Sequence, residues 1–274
     1  MMQCRLCGGA QGRVLYELPR PISKCESCGV VQADQSEVAG DYTESYYRGG
    51  VYADYLRDRA AIHRNASRIL PELERALQGR TLLDIGCATG LFLQVARARG
   101  WTVRGLEVSQ YASDYARREL GLVVDTGSIT LPPSGLPKFD VITVWDTIEH
   151  LDRPDQALSN IHDLLRPGGV LALSTGDYGS LLRRLAGKKW RLFADPTHRF
   201  FFDENTLTQL LRQEKFQVLK VVRRGKWTSF SMVLHQSGLP FARRLREWVH
   251  ARNWNVMLYV NLWDVMTLLA RPLI

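Results

Sequence analysis

Four cysteines stand as two Cys-x2-Cys pairs, Cys4/Cys7 and Cys25/Cys28, with 17 residues between the pairs. Gly8 and Gly29 follow the second cysteine of each pair. Glycine there lets the chain turn tightly, so that backbone N–H groups face the thiolates. Four thiolates at this spacing suit a tetrahedral Zn²⁺; iron in the same geometry and a redox dithiol pair are the rival readings. A segment this short needs such a staple to fold, but a ribbon of this kind does not say what it touches.

A second chemical locus is Asp84-Ile85-Gly86-Cys87-Ala88-Thr89-Gly90, where an apolar run ends in an acid and two glycines follow. Gly86 and Gly90 allow a sharp turn and a close approach of backbone to ligand. A phosphate cradle would need a lysine after the last glycine, or the GxGxxG spacing. Neither is present, and an acid at the mouth of the loop repels pyrophosphate while suiting a cationic or amine-bearing ligand. Glu107 ends the next apolar run, where a carboxylate accepts hydrogen bonds from a ribose diol. Gly127, Ser128 and Ile129 follow the third run and Asp146 the fourth. Cys87 reads as a small loop residue rather than a nucleophile, and Asp140 as a strand-entry residue. Two histidines, His150 and His198, are the candidates for moving a proton, because imidazole titrates near neutrality. For each, the competing reading is structural: a packed histidine, or one that hydrogen-bonds a loop closed.

The elements that must carry these groups alternate. Strands are predicted at 81–86, 101–107, 121–125, 139–145 and 170–175. Helices are predicted at 91–100, 110–120 (capped by Ser109) and from Pro154 to about Leu165. Strand–helix alternation of this kind gives a parallel sheet covered on both faces. Upstream, 1–38 reads as the metal ribbon. Residues 39–78 read as a linker and helical lead-in, with Pro71 breaking or restarting the helix. Residues 176–202 are too long for an ordinary connection and read as an active-site lid. Asp203 is placed to cap a helix, and 216–224 and 227–234, two residues apart, read as a hairpin that makes the last strand antiparallel. Residues 236–274 read as a helical tail, basic and amphipathic at 241–250 and nearly apolar from Trp254 onward.

Asp84-Ile-Gly86-Cys87-Ala-Thr-Gly90, Glu107, Phe139-Asp140-Val-Ile, Glu149-His150-Leu-Asp and Leu165-Arg-Pro-Gly168-Gly169 together resemble the class I S-adenosylmethionine-dependent methyltransferases. The resemblance covers 79–235 and implies a Rossmann-like α/β fold, a seven-stranded sheet with an antiparallel last strand. It further implies that Asp84, Gly86, Cys87 and Gly90 cradle the methionine moiety and that Glu107 holds the ribose hydroxyls. Gly127, Ser128 and Ile129 would border the adenine, and Asp146 would lie near the sulfonium. The stretch Asp146-Thr-Ile-Glu149-His150 resembles that of ubiquinone-type O-methyltransferases, in which a related segment can hold a divalent cation. Asp195-Pro-Thr-His198-Arg-Phe-Phe resembles a segment that recurs in the superfamily before its sixth strand. A zinc ribbon ahead of such a domain resembles the sugar and natural-product methyltransferases. His198 and His150 are the expected catalytic bases.

The 274-residue chain is 45% hydrophobic and 23% charged, which excludes disordered and low-complexity classes. Its net charge of +8 is uneven: residues 180–274 hold 17 Lys+Arg against 6 Asp+Glu. Nothing at the N-terminus resembles a signal peptide, and five cysteines are too few and too clustered for a disulfide scaffold, so a reducing cytoplasm is expected. The acceptor is expected to be a small molecule, a sugar or a lipid-linked metabolite, methylated on oxygen or carbon. RNA methylation and a non-catalytic zinc-ribbon module remain as alternatives, although the clamp motif of base-amine methylation and the Pro-Cys of pyrimidine C5 chemistry are missing. Basic and Trp-rich sequence at 241–274 is what an interfacial membrane helix shows. Asn255, Asn261 and Asp264 argue against a span, and a helix docked on the domain or on a second copy is the rival.

Overall fold

The computed structural model describes residues 3–34, 42–47, 55–77, 79–236, 242–252, 254 and 256–273. The expected boundary at 38/39 and residues Gln78, Phe241 and Asn255 lie outside these.

The N-terminal four-cysteine segment is an antiparallel meander, β1 (Gly12–Tyr16), β2 (Ile22–Cys25) and β3 (Val31–Ala33). After it come the short α1 (Glu44–Tyr47) and the long α2 (Arg59–Ala76). The latter runs through Pro71 without breaking. Burial of Leu70 and Leu73 against the domain holds the turn that a proline would otherwise disrupt.

The central unit then alternates as expected: β4 (Thr81–Ile85), α3 (Leu91–Ala98), β5 (Thr102–Glu107), α4 (Gln110–Leu120), β6 (Val124–Thr126), β7 (Phe139–Trp145), α5 (Pro154–Leu164) and β8 (Leu165–Gly176). Ser109 caps α4 by accepting the Ala112 N–H, and Pro154 opens α5. Leu82, Leu83, Val141, Ile142, Leu171 and Leu173 are fully buried, since helices cover both faces of the sheet.

Beyond β8 come α6 (Leu181–Ala186), two 3-10 turns, β9 (Phe200–Phe201), α7 (Glu204–Gln213) and β10 (Phe216–Val222). Then follow β11 (Lys226–Ser229), α8 (Phe230–Gln236), α9 (Ala242–Ala251), β12 (Met257–Val260) and β13 (Val265–Pro272). The main sheet has the order β10-β13-β8-β7-β4-β5-β6. β13 is antiparallel to both of its neighbours and β4 through β8 are parallel, giving the seven-stranded sheet with an antiparallel strand.

Three expectations are corrected here. The antiparallel strand comes from 265–272, not from 227–234. Residues 226–229 instead pair with β12, and 230–236 are helical. The helical tail is helical only at 242–251; its apolar half forms β12 and β13. Burial alternates along β13 through Met266, Leu268 and Ala270. Yet both faces of an interior strand are covered, so the sequence reads as one apolar run that a helical period also fits. The sheet therefore extends past residue 235 to residue 272. Finally, 176–202 is a packed layer rather than a free lid. β9 pairs with β3 and completes a four-stranded ribbon sheet, while Trp190, Phe193 and Phe201 pack with Ile22, Val31 and Ala33. Among the described residues no helix is long and apolar enough to cross a membrane.

Candidate active site

The carboxyl ends of the parallel strands bring the sequence-identified groups together, as expected for an open α/β sheet. β4 ends beside Asp84, which is buried and accepts the Thr143 hydroxyl at 2.6 Å. Burial pushes its carboxyl up to about 7, against the Thr143 bond, with the Glu107 charge adding to the rise. Gly86 turns with φ +68, and a Cβ there would lie 2.4 Å from Thr147 Oγ1; Gly90 turns with φ +80 into α3. Glu107 ends β5 and is turned toward this loop. It accepts the Ala88 N–H at 2.8 Å and the Ser109 N–H at 2.9 Å. Burial raises its carboxyl despite those donors and a further bond from Tyr47. Gly127 follows β6, its N–H on the Glu107 carbonyl at 2.9 Å, and Ile129 is buried beside it. Ser128 bonds Thr130 locally. Cys87 is buried and that burial pushes its thiol well up, which disfavours the thiolate and suits a small loop residue.

These groups fit S-adenosylmethionine in chemistry. Two carboxylates at adjacent strand ends match an ammonium and a ribose diol, and the loop between them is backbone-lined. Thr89 Oγ1 and Trp145 Nε1 are buried here without a hydrogen-bond partner. A buried polar atom left this way calls for a ligand or a water. The crevice is also covered by a group the sequence reading missed. Tyr47 is 4% exposed with its hydroxyl on Glu107, and its ring meets those of Tyr55 and Tyr111 at 5.9 and 6.0 Å. The run Tyr42-x3-Tyr46-Tyr47 was legible as aromatic but read as a linker.

At the far end of β7, Asp146 has φ +44, a left-handed conformation costly for a non-glycine residue. Its carboxylate is held by Lys226 Nζ at 3.0 Å and by Ser174 Oγ at 2.8 Å. Asp146 therefore stands in this cluster already paired, and Lys226, on β11, is a partner that no motif announced. Next come Glu149 and His150, in a 3-10 turn. Burial, then the Asp146 charge, raises the Glu149 carboxyl to about 8. His198 packs on them from the 193–198 loop, its ring centroid 4.7 Å from that of His150.

Both imidazoles have one nitrogen fixed. His198 Nδ1 lies 3.0 Å from the Leu192 carbonyl, and the His150 ring donates to the Thr197 carbonyl. His150 Nδ1 and Glu149 Oε2 are left without a partner. Burial, then the His150 charge, lowers His198 to about 4, and burial lowers His150. Both shifts favour the neutral ring near pH 7, and on His150 the Nδ1 lone pair is the one left unpartnered. Asp195 Oδ2 faces His198 Nε2 at 3.6 Å. Burial works against the Asp195 charge, but His198 and Thr197 hold its carboxyl below the usual range. Glu149, His150 and His198 have ligand atoms within 4.8 Å of one another, a set that can accept a proton or hold a cation.

The ribbon's four sulfurs also converge, with Cys4 to Cys28 at 3.7 Å and Cys7 to Cys25 at 3.6 Å. Tetrahedral coordination at Zn–S of about 2.3 Å puts sulfurs about 3.8 Å apart. Gly8 (φ +73) and Gly29 (φ +75) make the two knuckle turns. Burial opposes ionisation of Cys25, but the N–H groups of Cys28 and Ser27 bring its thiol down to about 7.

Comparison with known proteins gives a consistent result. The family model described as a methyltransferase domain matches residues 55–221. A ubiquinone biosynthesis O-methyltransferase of Coxiella burnetii is 26% identical over 161 residues, 55% of this chain and 69% of that protein. The enzyme of the same description from Pseudomonas paraeruginosa is 36% identical over 109 residues, 37% of this chain and 47% of its own length. A magnesium protoporphyrin IX methyltransferase from Synechocystis, solved with bound SAH, shares the fold at TM-score 0.53 and 15% identity, covering 83% of this chain and 96% of that one. A [4+2]-cyclase shares it too, at TM-score 0.51 and 21% identity, covering 76% and 81%. At such identities these two speak for the fold alone.

Proposed function

The chain belongs to the class I S-adenosylmethionine-dependent methyltransferases, and on that premise we propose that it methylates an oxygen or a carbon of a small, sugar or lipid-linked metabolite. The observation that carries the reading is the pair of imidazoles, His198 buried and His150 half-buried with its Nδ1 unpartnered, beside the strand-end carboxylates. S-adenosylmethionine, when bound, supplies a methyl group already activated on a sulfonium. What remains for the protein is alignment, exclusion of water and removal of the acceptor's proton. Asp84 takes the ammonium end and Glu107 the ribose diol, with Gly86, Cys87 and Gly90 forming the backbone wall and Gly127, Ser128 and Ile129 the far side. His150, whose Nδ1 has no donor, takes the acceptor proton. His198 lies behind it, with Asp195 placed to steady an imidazolium. The likeness to ubiquinone biosynthesis O-methyltransferases supports an oxygen acceptor. The test is incubation with methyl-labelled cofactor and separate polar, nucleotide-sugar, lipid and RNA fractions. Label entering a polar, sugar or lipid fraction supports the reading, and label confined to RNA rejects it.

The four ribbon sulfurs are read as a structural Zn²⁺ site, on their spacing and knuckle glycines.

Peripheral membrane contact is supported by exposed aromatics beside exposed arginines. Trp248, Trp254 and Trp263 are 41%, 54% and 62% exposed, with Arg252 over the Trp248 ring at 4.0 Å. Tryptophan among basic residues is an interfacial signature. Deleting the tail would remove β13 from the sheet core, so the test is co-sedimentation of Trp254→Ala/Trp263→Ala with anionic liposomes. Retention equal to that of the parent chain rejects the contact.

A further inference from the structure

Between β1 and β2, Arg20 stands between Pro19 and Pro21, two residues that stiffen its backbone. Its guanidinium leaves the ribbon and enters the loop that carries His198. Nη1 donates to the Pro196 and His198 carbonyls at 2.9 and 3.0 Å, and Nη2 to the Asp195 and Phe193 carbonyls at 2.5 and 3.5 Å. Four carbonyls of one irregular segment thus converge on a single planar fork. Phe193 belongs to the second 3-10 turn after α6 and the Asp195 carbonyl also accepts the His198 N–H at 3.4 Å, whereas Pro196 and His198 lie outside helix and strand; leaving such a carbonyl buried and unpaired costs about 1–3 kcal/mol.

The same loop orients both imidazoles. The Leu192 carbonyl meets His198 Nδ1, and the Thr197 carbonyl accepts from the His150 ring. Asp195 folds back on Thr197, accepting its N–H at 2.9 Å and its hydroxyl at 2.6 Å, which leaves Oδ2 facing His198. The loop's exit is fixed from the same side: the Ala33 N–H of β3 donates to the Arg199 carbonyl at 3.0 Å, and the Arg199 N–H to the Glu149 carbonyl at 2.9 Å. The ribbon therefore grips the histidine loop at two places, at β9 by strand pairing and at 193–198 by a guanidinium.

We propose that Arg20 is a positioning residue for the histidine pair, so that the zinc ribbon is a working part of the active site rather than an appended module. The inference rests on the reading of His150 and His198 as the proton-accepting pair. Lysine keeps the charge but, as a point donor, cannot span four carbonyls; Arg20→Lys therefore rescues little of what Arg20→Ala loses.

The experiment compares Arg20→Ala, Arg20→Lys, His198→Asn and His150→Asn with the parent chain. It measures methyl transfer, cofactor affinity, zinc content and the ring ¹⁵N signals of His198 and His150, assigned with the histidine variants. The expected result for Arg20→Ala is a fall in kcat of about 10- to 100-fold with cofactor affinity within about twofold and zinc retained. The His198 signal is also expected to broaden or shift as the ring loses its fixed Nδ1–H tautomer. Added guanidinium or methylguanidinium ion is expected to restore part of kcat, an effect that a merely structural role does not produce.

Unchanged kcat with unchanged ring signals overturns the inference. Loss of zinc or of the melting transition in both Arg20 variants also overturns it, assigning Arg20 to ribbon folding. If His198→Asn and His150→Asn keep full activity while Arg20→Ala moves the ring signals, the base reading fails and the loop clamp stands. If the histidine variants are inactive while Arg20→Ala is normal in both readouts, only the Arg20 inference fails.

Discussion

Cofactor affinity should depend steeply on pH, because the group read as the ammonium's partner titrates near neutrality in the free protein. Asp84 is buried, and that burial pushes its carboxyl up to about 7 from an ordinary value of 3.8. Glu107, also raised by burial, adds to the effect. A cationic ligand requires the ionised form, so binding must expel a proton wherever Asp84 begins protonated. Only about a tenth of Asp84 is ionised one pH unit below its midpoint, so affinity falls about tenfold per unit below about pH 7 and levels off above about pH 8. Removing the charge with Asp84→Asn forfeits a charge-assisted bond worth about 1.5–3 kcal/mol, or about 10- to 100-fold in affinity at pH 8.

At pH 5.5 the parent and Asp84→Asn chains should bind almost alike, since a protonated Asp84 and an asparagine present similar surfaces. Calorimetric titration in two buffers of different ionisation heat counts the released proton directly. The same shift bears on stability. Because the folded carboxyl lies above its unfolded value, the contribution is full below about pH 4 and is lost as pH rises through about 7. Asp84→Asn should therefore raise the melting temperature of the ligand-free chain more at pH 8 than at pH 5. The rise from 3.8 to about 7 sets a ceiling of about 4 kcal/mol. Affinity that is flat from pH 5.5 to 8, with no proton released, would refute the assignment of Asp84.

Tyr47→Phe removes a hydroxyl that competes for Glu107 and should tighten cofactor binding by about 2- to 10-fold; weaker binding would assign Tyr47 to holding the cofactor instead. Metal analysis should find one zinc per chain, and chelation should lower the melting temperature, because Cys4 and Cys25 are packed into the main core; a stripped chain that melts unchanged contradicts a structural site. His150→Asn should lower kcat by about 10²- to 10⁴-fold with cofactor affinity intact, whereas loss of cofactor binding would make His150 part of the binding wall.

Much of the central unit was legible because local signals and tertiary structure agree there. Asp84, Gly86, Gly90 and Glu107 fall at strand ends fixed by apolar runs, and Ser109, Pro154 and Asp203 mark helix starts that the structure keeps. The misreadings have one physical source, which is contact distant in sequence. β13 is buried on both faces by elements far from it in the chain, so its alternation was masked. β9 is two residues long and exists only because β3 lies beside it. Tyr47 seals the crevice and Arg20 reaches the histidine loop across gaps of 60 residues and 173 or more. Lys226 meets Asp146 from an excursion between two sheet strands. None of these partners leaves a mark in local spacing.

The most direct test of the account is a crystal structure of the chain with S-adenosylhomocysteine. The account predicts the ribose hydroxyls on Glu107, the amino group beside Asp84, the Tyr47 hydroxyl displaced from or sharing Glu107, and the sulfur facing His150. A ligand bound elsewhere, with Glu107 still held by Ala88, Ser109, Val108 and Tyr47 alone, would contradict it.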